Sequence, residues 1–293
     1  EDHLDWHRSF KKYLFAKMKI FGVPKSNAIP VICSDDNKLN IEIDKYLNKK
    51  SKNLYKNKIF FGVEKNKNIN RFGLVDKRHE WICCFDSLNL PKLLLKTSDI
   101  KVNGRHNILN VLSALSLASL VSKTTQKMLK SLKGFENPSH RLEKIWSFNK
   151  VVFIDDSKAT NVSATVAALK SINDPIFLIL GGDLKGQCLK PLCNAIKKRK
   201  IFSFVFGKDK DKIKNLFFQQ NISVEVCKDM SETVKKIKSS MEKIYSDLTS
   251  KNITVLLSPA CSSTDMFKNY IHRAKEFSRL IKIFFGNKKY VSK

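Results

Sequence analysis

From Val151 onward the chain repeats one pattern: a short run of β-branched and aromatic residues, then a longer stretch whose apolar residues fall at helical spacing. The runs are VVFID (Val151 to Asp155), IFLIL (Ile176 to Leu180), IFSFVF (Ile201 to Phe206), ISVEV (Ile222 to Val226) and ITVLLS (Ile253 to Ser258). TVAALKSI follows the first and MFKNYIHRAKEFSRLIKIF the last. Short, largely apolar runs of this kind form buried strands. Parallel strands need crossovers of a dozen or more residues, and the intervening amphipathic stretches supply them. The alternation therefore predicts an α/β fold with a mostly parallel sheet covered by helices on both faces.

The first part of the chain, to about Phe135, reads differently. An opening helix is followed by the strands AIPVIC (Ala28 to Cys33) and KIFFGV (Lys58 to Val63), a hairpin RFGLVDKRHEWICCF (Arg71 to Phe85), and a long apolar helix over ILNVLSALSLASLV (Ile108 to Val121). Lys- and Asn-rich stretches near Asn48 to Asn57 and Lys65 to Asn70 are expected to be surface loops. GFENPSH (Gly134 to His140) gathers Gly, Pro and polar residues, which marks a domain boundary. At 293 residues the chain is long enough for two cores, expected over residues 1–137 and 138–293.

Composition excludes several classes. Lys plus Arg total 55 against 27 Asp plus Glu, a formal net charge of +28. Such an excess can signal a polyanion partner, but only eight of these cations are arginines, and the lysines lie on expected outer helix faces, often beside Asn. The reading is a solvated Lys-rich surface that attracts phosphate-rich small molecules, without a nucleic-acid partner. Seven cysteines, odd in number and without a CxxC pair, mostly sit in apolar runs and read as buried reduced thiols of a cytoplasmic protein. No apolar run reaches the ~18 residues of a membrane span, and EDHLDWHR at the start does not resemble a signal peptide. No membrane partner is expected.

Open parallel sheets bind ligands beyond the carboxyl ends of their strands. The first strand runs into DDSKATN (Asp155 to Asn161), which offers carboxylates, hydroxyls and an ammonium before a helix begins. The second runs into GGDLKG (Gly181 to Gly186), where paired glycines allow close backbone approach and Lys185 supplies a cation. The last runs into SPACSSTD (Ser258 to Asp265), small residues expected to lead into a helix N-terminus suited to a carboxylate. Each alone could be a turn and a helix cap; three at one edge point to a site. In the first unit, NGRHNILN (Asn103 to Asn110) sets Asn107 and Asn110 three residues apart at a helix start. Both amides can then face one ligand, with the paired donor and acceptor that an adenine edge requires. A plain helix cap is the competing reading.

Together with EDHLD (Glu1 to Asp5), YLFAKMKIF (Tyr13 to Phe21) and HRLE (His140 to Glu143), these segments stand in the order and approximate spacing of the Mur ligases, which the chain resembles over essentially its whole length. DSKATN followed by LLSPACSS resembles the D-glutamate-adding branch. The resemblance implies a partial central ATPase domain followed by a Rossmann-like, D-glutamate-binding C-terminal domain. It implies ATP and Mg2+ as cofactors, with D-glutamate and UDP-N-acetylmuramoyl-L-alanine as substrates in cytoplasmic peptidoglycan precursor synthesis. The precursor carboxylate would be phosphorylated and the acyl phosphate then attacked by the D-glutamate amine. By the same resemblance Lys17 matches a carbamylated lysine and His3 a histidine, the two holding the metal, with His3 also at the substrate. Asn107, Asn110, Arg141 and Asp156 match positions around the nucleotide. Lys158, Thr160, Lys185, Ser263, Thr264 and Tyr270 match positions at the D-glutamate carboxylates and the reacting phosphate, and His3, Lys17, Lys158 and Lys185 are the expected catalytic set. Carbamylation requires a neutral amine, hence burial that lowers the pKa of Lys17.

The resemblance has gaps. Cys33 stands where relatives often carry Asn, Leu184 lies within the GGD loop, and Tyr270 stands near a substrate-contacting aromatic position. No glycine-rich P-loop ending in Gly-Lys-Ser/Thr is present, since GGDLKG lacks the spacing and the final hydroxyl, and GKDK (Gly207 to Lys210) lacks the first glycine and that hydroxyl. The expectation is a back portion of the ligase, without the uridine-binding domain. It would be a monomer, inactive unless the missing segment is supplied on another chain; a non-catalytic remnant with weak nucleotide or D-glutamate affinity is the alternative.

Overall fold

In a computed structural model the described residues are 4–21, 29–50, 58–64, 70–75, 80–102, 104–122, 126–136, 138–148, 150–173, 175–197, 199–248 and 252–286. The chain divides into two compact units, one of Leu14–Glu136 and one of Glu1–Tyr13 with Asn137–Lys293. The first elements are α1 (Leu4–His7) and α2 (Phe10–Met18).

The Leu14–Glu136 unit holds β1 (Val31–Cys33), α3 (Asn37–Lys50), β2 (Ile59–Phe61), β3 (Asn70–Val75), β4 (Trp81–Phe85), β5 (Pro91–Lys96), α4 (Arg105–Ala118) and α5 (Gln126–Gly134). The strands lie in sequence order, β1 to β3 parallel and β3 to β5 antiparallel. The expected hairpin is present, with Phe72 opposite Cys84 and Val75 opposite Trp81. Phe72, Ile82 and Leu95 pack with Val111, Leu112 and Leu115 of α4 and Leu129 of α5. Met18, Ile32, Ile43 and Leu47 form a second, smaller cluster.

Three departures from expectation have local causes. The helix expected from Ile108 starts at Arg105, because Gly104 at φ 97° turns the chain and its carbonyl accepts from the Asn107 amide. The polar α3 was not anticipated; Asp36 caps its start by accepting from the Leu39 amide, and Ile43 and Leu47, four residues apart, supply its buried stripe. It carries residues 48–50, expected as loop, into helix; residues 51–57 and 65–69 lie outside the described residues, and Asn70 opens β3. The third, β5, has Pro91 and lysines at its ends and joins the sheet as an edge strand, the position where Pro is tolerated.

The second unit contains β6 (Glu143–Phe148), β7 (Val151–Asp155), α6 (Val162–Ser171), β8 (Ile176–Gly181), α7 (Lys190–Ile196), β9 (Ile201–Phe206), α8 (Lys210–Gln219), β10 (Val224–Val226), α9 (Met230–Leu248), β11 (Ile253–Leu257) and α10 (Tyr270–Phe285). The sheet order is β10-β9-β8-β11-β7-β6, parallel except for β6, which pairs antiparallel with β7. The five sequence-read strands are all present, and β6 is an addition: its apolar residues are interrupted by Glu143, Lys144 and Ser147, so it reads weakly as a strand. Every residue of β8 and β11 is buried, as expected of central strands covered on both faces. On one side Phe153, Phe177 and Val255 pack with Val234 and Ile237 of α9 and Phe277 and Ile281 of α10. On the other, Leu178 and Leu256 pack with Leu169 of α6, Leu192 of α7 and Phe217 of α8. Each such side chain contributes ~1.5–3 kcal/mol on burial.

The seven cysteines are all free. Among the described residues no helix is long and apolar enough to cross a membrane.

Candidate active site

Parallel register brings the strand ends together: Leu257 lies opposite both Asp155 and Ile179, and Gly181 opposite Phe206. The loops after β7, β8 and β11, the three singled out in the sequence, thus leave one edge of one sheet. They are also bonded to one another. The Ser258 hydroxyl, at the start of the β11 loop, donates to Asp156 Oδ2 in the β7 loop at 2.7 Å and meets Thr165 Oγ1 at 3.1 Å. Asp183 and Ser262 exchange backbone hydrogen bonds of 3.0 and 2.9 Å, joining the β8 and β11 loops. Gln187 Oε1 accepts from the Val162 amide at 2.9 Å, joining the β8 loop to the start of α6.

Backbone conformation concentrates at this edge. Seven non-glycine residues among those described have positive φ, and His140, Leu142, Lys185 and Ala260 all lie here. Such conformations cost about 1–3 kcal/mol each and persist where surrounding contacts over-determine them. Gly181 and Gly182 have φ of 126° and 128°, and a Cβ on Gly181 would overlap the Phe206 carbonyl.

Arg273, in the first turn of α10, is 0% exposed. Its Nη1 donates to the Cys261 carbonyl at 3.1 Å and reaches the Gly181 carbonyl at 3.5 Å, while Nη2 donates to the Ser157 carbonyl at 2.8 Å. One guanidinium therefore binds a carbonyl from each of the three loops. Its Nε has no hydrogen-bond partner, and Asp265 and Asp155 act on its charge without a direct ion pair among the described residues. Burial lowers its pKa to about 10, so it remains cationic at neutral pH. Sequence reading missed it; the available signal was an arginine in line with the apolar stripe Ala274, Phe277 and Ile281.

The acidic residues divide by environment. Asp155 is buried, with Oδ2 2.7 Å from His140 Nδ1 and Oδ1 accepting from the Ser157 amide and hydroxyl at 2.9 and 2.5 Å. Burial raises Asp156 to about 6, against the lowering by hydrogen bonds from Ser258 and the Leu142 amide; Asp155 pushes it up and Arg141 down. Asp183 is held below the usual carboxylate range by Lys208 at 2.8 Å and the Lys185 amide at 2.9 Å.

Of the residues named from sequence, Asp156 and Ser263 are buried, Thr160, Lys185 and Tyr270 half-buried, and Arg141, Lys158 and Thr264 exposed. Lys158 Nζ stands 5.4 Å from the centre of the Tyr270 ring, and that ring meets His140 edge-on at 5.9 Å. All of these belong to the second unit. The helix expected directly after SPACSSTD begins instead at Tyr270, capped by the Asn269 side chain, which accepts from the His272 amide at 2.9 Å. Turns connect the two, and Ser263 uses its carbonyl to accept from the Phe267 amide at 2.9 Å.

In the other unit Asn107 is buried and Asn110 exposed in the first two turns of α4. Lys17, near the end of α2, is exposed. His3 lies outside the described residues. Among the described residues the one group of three metal-ligand types within reach of each other is His140, Glu143 and Asp155. Its His140 and Asp155 atoms bond to each other.

Residues 1–118 match the model of the Mur ligase middle domain. The chain is 34% identical over 284 residues to the UDP-N-acetylmuramoylalanine–D-glutamate ligase of Nitrosomonas europaea, covering 97% of this chain and 56% of that protein. It is 30% identical over 280 residues to the ligase of the same name from Alkaliphilus oremlandii, covering 96% and 57%. The chain thus spans a little over half the length of these relatives. Among solved structures, MurF from Acinetobacter baumannii superposes with a TM-score of 0.64 at 11% identity over 94% of this chain and 57% of that one. A pseudomurein peptide ligase type C from Methanothermus fervidus gives 0.64 at 16% identity over 97% and 61%. At these identities the likeness shows the fold.

Proposed function

We infer, from a chain that belongs to the Mur ligase family, that it forms part of a cytoplasmic ATP-dependent ligase adding D-glutamate to UDP-N-acetylmuramoyl-L-alanine in peptidoglycan precursor synthesis. ATP and Mg2+ are the cofactors of this reading, and residues 1–137 and 138–293 its nucleotide-binding and D-glutamate-binding domains. One observation carries it: three polar strand-end loops, tied to each other and to one buried cation, at the carboxyl edge of a parallel sheet in a chain similar to D-glutamate ligases over 97% of its length.

In the proposed reaction ATP phosphorylates the L-alanine carboxylate of the precursor, and the D-glutamate amine attacks the acyl phosphate, expelling phosphate. Negative charge grows on the phosphoryl and tetrahedral oxygens, where fixed cations stabilise the transition state more than the ground state. Lys158 and Lys185 fill that role. Thr160, Ser263, Thr264 and Tyr270 orient the D-glutamate carboxylates, while Arg141, Asp156, Asn107 and Asn110 serve the nucleotide. His3 and Lys17 would hold the metal, Lys17 as its carbamate. The chain acts as a monomer in this reading.

Titration calorimetry of the 293-residue chain with D-glutamate, with L-glutamate as control, tests the reading. D-glutamate should bind in preference to L-glutamate. Lys185→Met should weaken binding about ten-fold or more, the loss of one charged hydrogen bond. Equal binding of the two enantiomers, or none of either, would overturn the assignment.

A further inference from the structure

We propose that Arg273 is a positioning residue: its buried guanidinium holds the loops after β7, β8 and β11 in the one arrangement that the substrate carboxylates meet. The inference builds on the D-glutamate reading but stands on separate geometry. Three carbonyls from loops distant in sequence, at Ser157, Gly181 and Cys261, converge on one side chain that is fully buried. Their partial negative charges all point inward to the cation, so the opposite, amide sides of the same peptide units are turned away from it. Two of the carbonyls adjoin conformations that would otherwise relax: Gly181 is itself at φ 126°, and Cys261 follows Ala260 at φ 59°. The third precedes Lys158, whose own amide donates to the His140 carbonyl at 3.1 Å, so holding Ser157 also fixes where Lys158 leaves the backbone.

A core arginine would be expected to pair with a carboxylate, since an uncompensated buried charge is costly. Among the described residues no carboxylate lies within ion-pair distance of Arg273, Asp265 and Asp155 acting on it only from farther off, and its hydrogen bonds all go to backbone carbonyls, with Nε left over. An apolar residue would cover the same stripe of α10 with no such cost. What arginine adds is the planar fork, which lysine cannot reproduce with a single ammonium.

The test uses the full chain carrying Arg273→Met or Arg273→Lys, beside Phe277→Leu, a fully buried apolar residue one turn along α10 in the core between the sheet and α9. Hydrogen exchange is followed at the Asp183 and Ser262 amides, whose mutual bonds join two of the loops, and at the Ile179 and Val255 amides in the central strands as an internal reference. Arg273→Met should speed exchange of the loop amides about ten-fold or more relative to the strand amides, and Arg273→Lys by a smaller factor. Phe277→Leu should move loop and strand amides together. D-glutamate affinity, read by calorimetry at a temperature where each variant is folded by circular dichroism, should fall about ten-fold or more in Arg273→Met, partly recover in Arg273→Lys, and stay unchanged in Phe277→Leu. Loop amides that exchange at the wild-type rate in either arginine variant, or that slow and speed only in step with the strands, would overturn the proposal; Arg273→Lys keeps this decisive if the methionine variant fails to fold. Wild-type chain that binds no D-glutamate while the arginine variants still loosen the loops would instead refute the substrate reading and leave the loop-holding role standing.

Discussion

Asp156 offers a quantitative test of the electrostatics at the strand ends. Its side chain is 6% exposed, so little solvent screens it, and burial moves its pKa from the ordinary 3.8 to about 6. The folded state therefore binds this proton more tightly than the unfolded chain. Its contribution to stability is fully present below about pH 4 and is lost as pH rises through about 6. At ~1.36 kcal/mol per pH unit, the difference corresponds to about 3 kcal/mol between pH 4 and pH 8. Asp156→Asn cannot ionise but can still accept from Ser258 through its amide oxygen. The variant should match the wild type within about 1 kcal/mol at pH 4 and exceed it by up to about 3 kcal/mol at pH 8. Two compact units make a single unfolding transition unsafe to assume, so the measurement needs a reporter in the second. Trp146 packs against its core, and replacing Trp6 and Trp81 with Phe leaves it as the sole tryptophan. Urea melts of this background, with and without Asp156→Asn, from pH 4 to pH 8 give the required difference. Stability curves that run parallel across that range would show that burial does not raise this carboxyl, and the reasoning would fail.

Gly181→Ala should destabilise the second unit by about 2–4 kcal/mol, because φ 126° excludes a Cβ sterically and the blocking atom is a backbone carbonyl of β9 that cannot rotate away; a urea midpoint unchanged in the Trp146 background would contradict this. In the other unit, Leu112→Ala, on the fully buried face of α4, should cost about 2–5 kcal/mol, read as a shift of the transition in a background that keeps Trp81 as the sole tryptophan, with little change in the Trp146 background.

The legible parts of the fold were those where local pattern and tertiary role coincide. IFLIL and ITVLLS are apolar throughout because β8 and β11 are buried on both faces, and a run of that kind has few other uses. EKIWSF carries its polar residues outward on an edge strand, and PKLLLK begins with a proline, so neither announces a strand. NKLNIEIDKYLNKK is mostly polar, and only the spacing of Ile43 and Leu47 marks its buried face. The loops that carry Lys158, Lys185 and Ser263 were legible as one sheet edge because each follows a strand of a parallel sheet, where ligands bind. Arg273 was not, since a solvent-facing helix arginine and a buried one look alike in sequence until the stripe around it is traced in three dimensions. Lys17 was singled out by family likeness alone, since one lysine among many on a helix carries no pattern of its own.

The margins of the six-stranded sheet also shape how the molecule behaves among its own copies. One border, β10, is three residues long, and the other, β6, runs against the direction of its neighbours and carries Glu143 and Lys144. A foreign strand seeking open amides and carbonyls would find a stub on one flank and charged side chains on the other, so the apolar centre of the sheet is not extended outward into a growing ribbon.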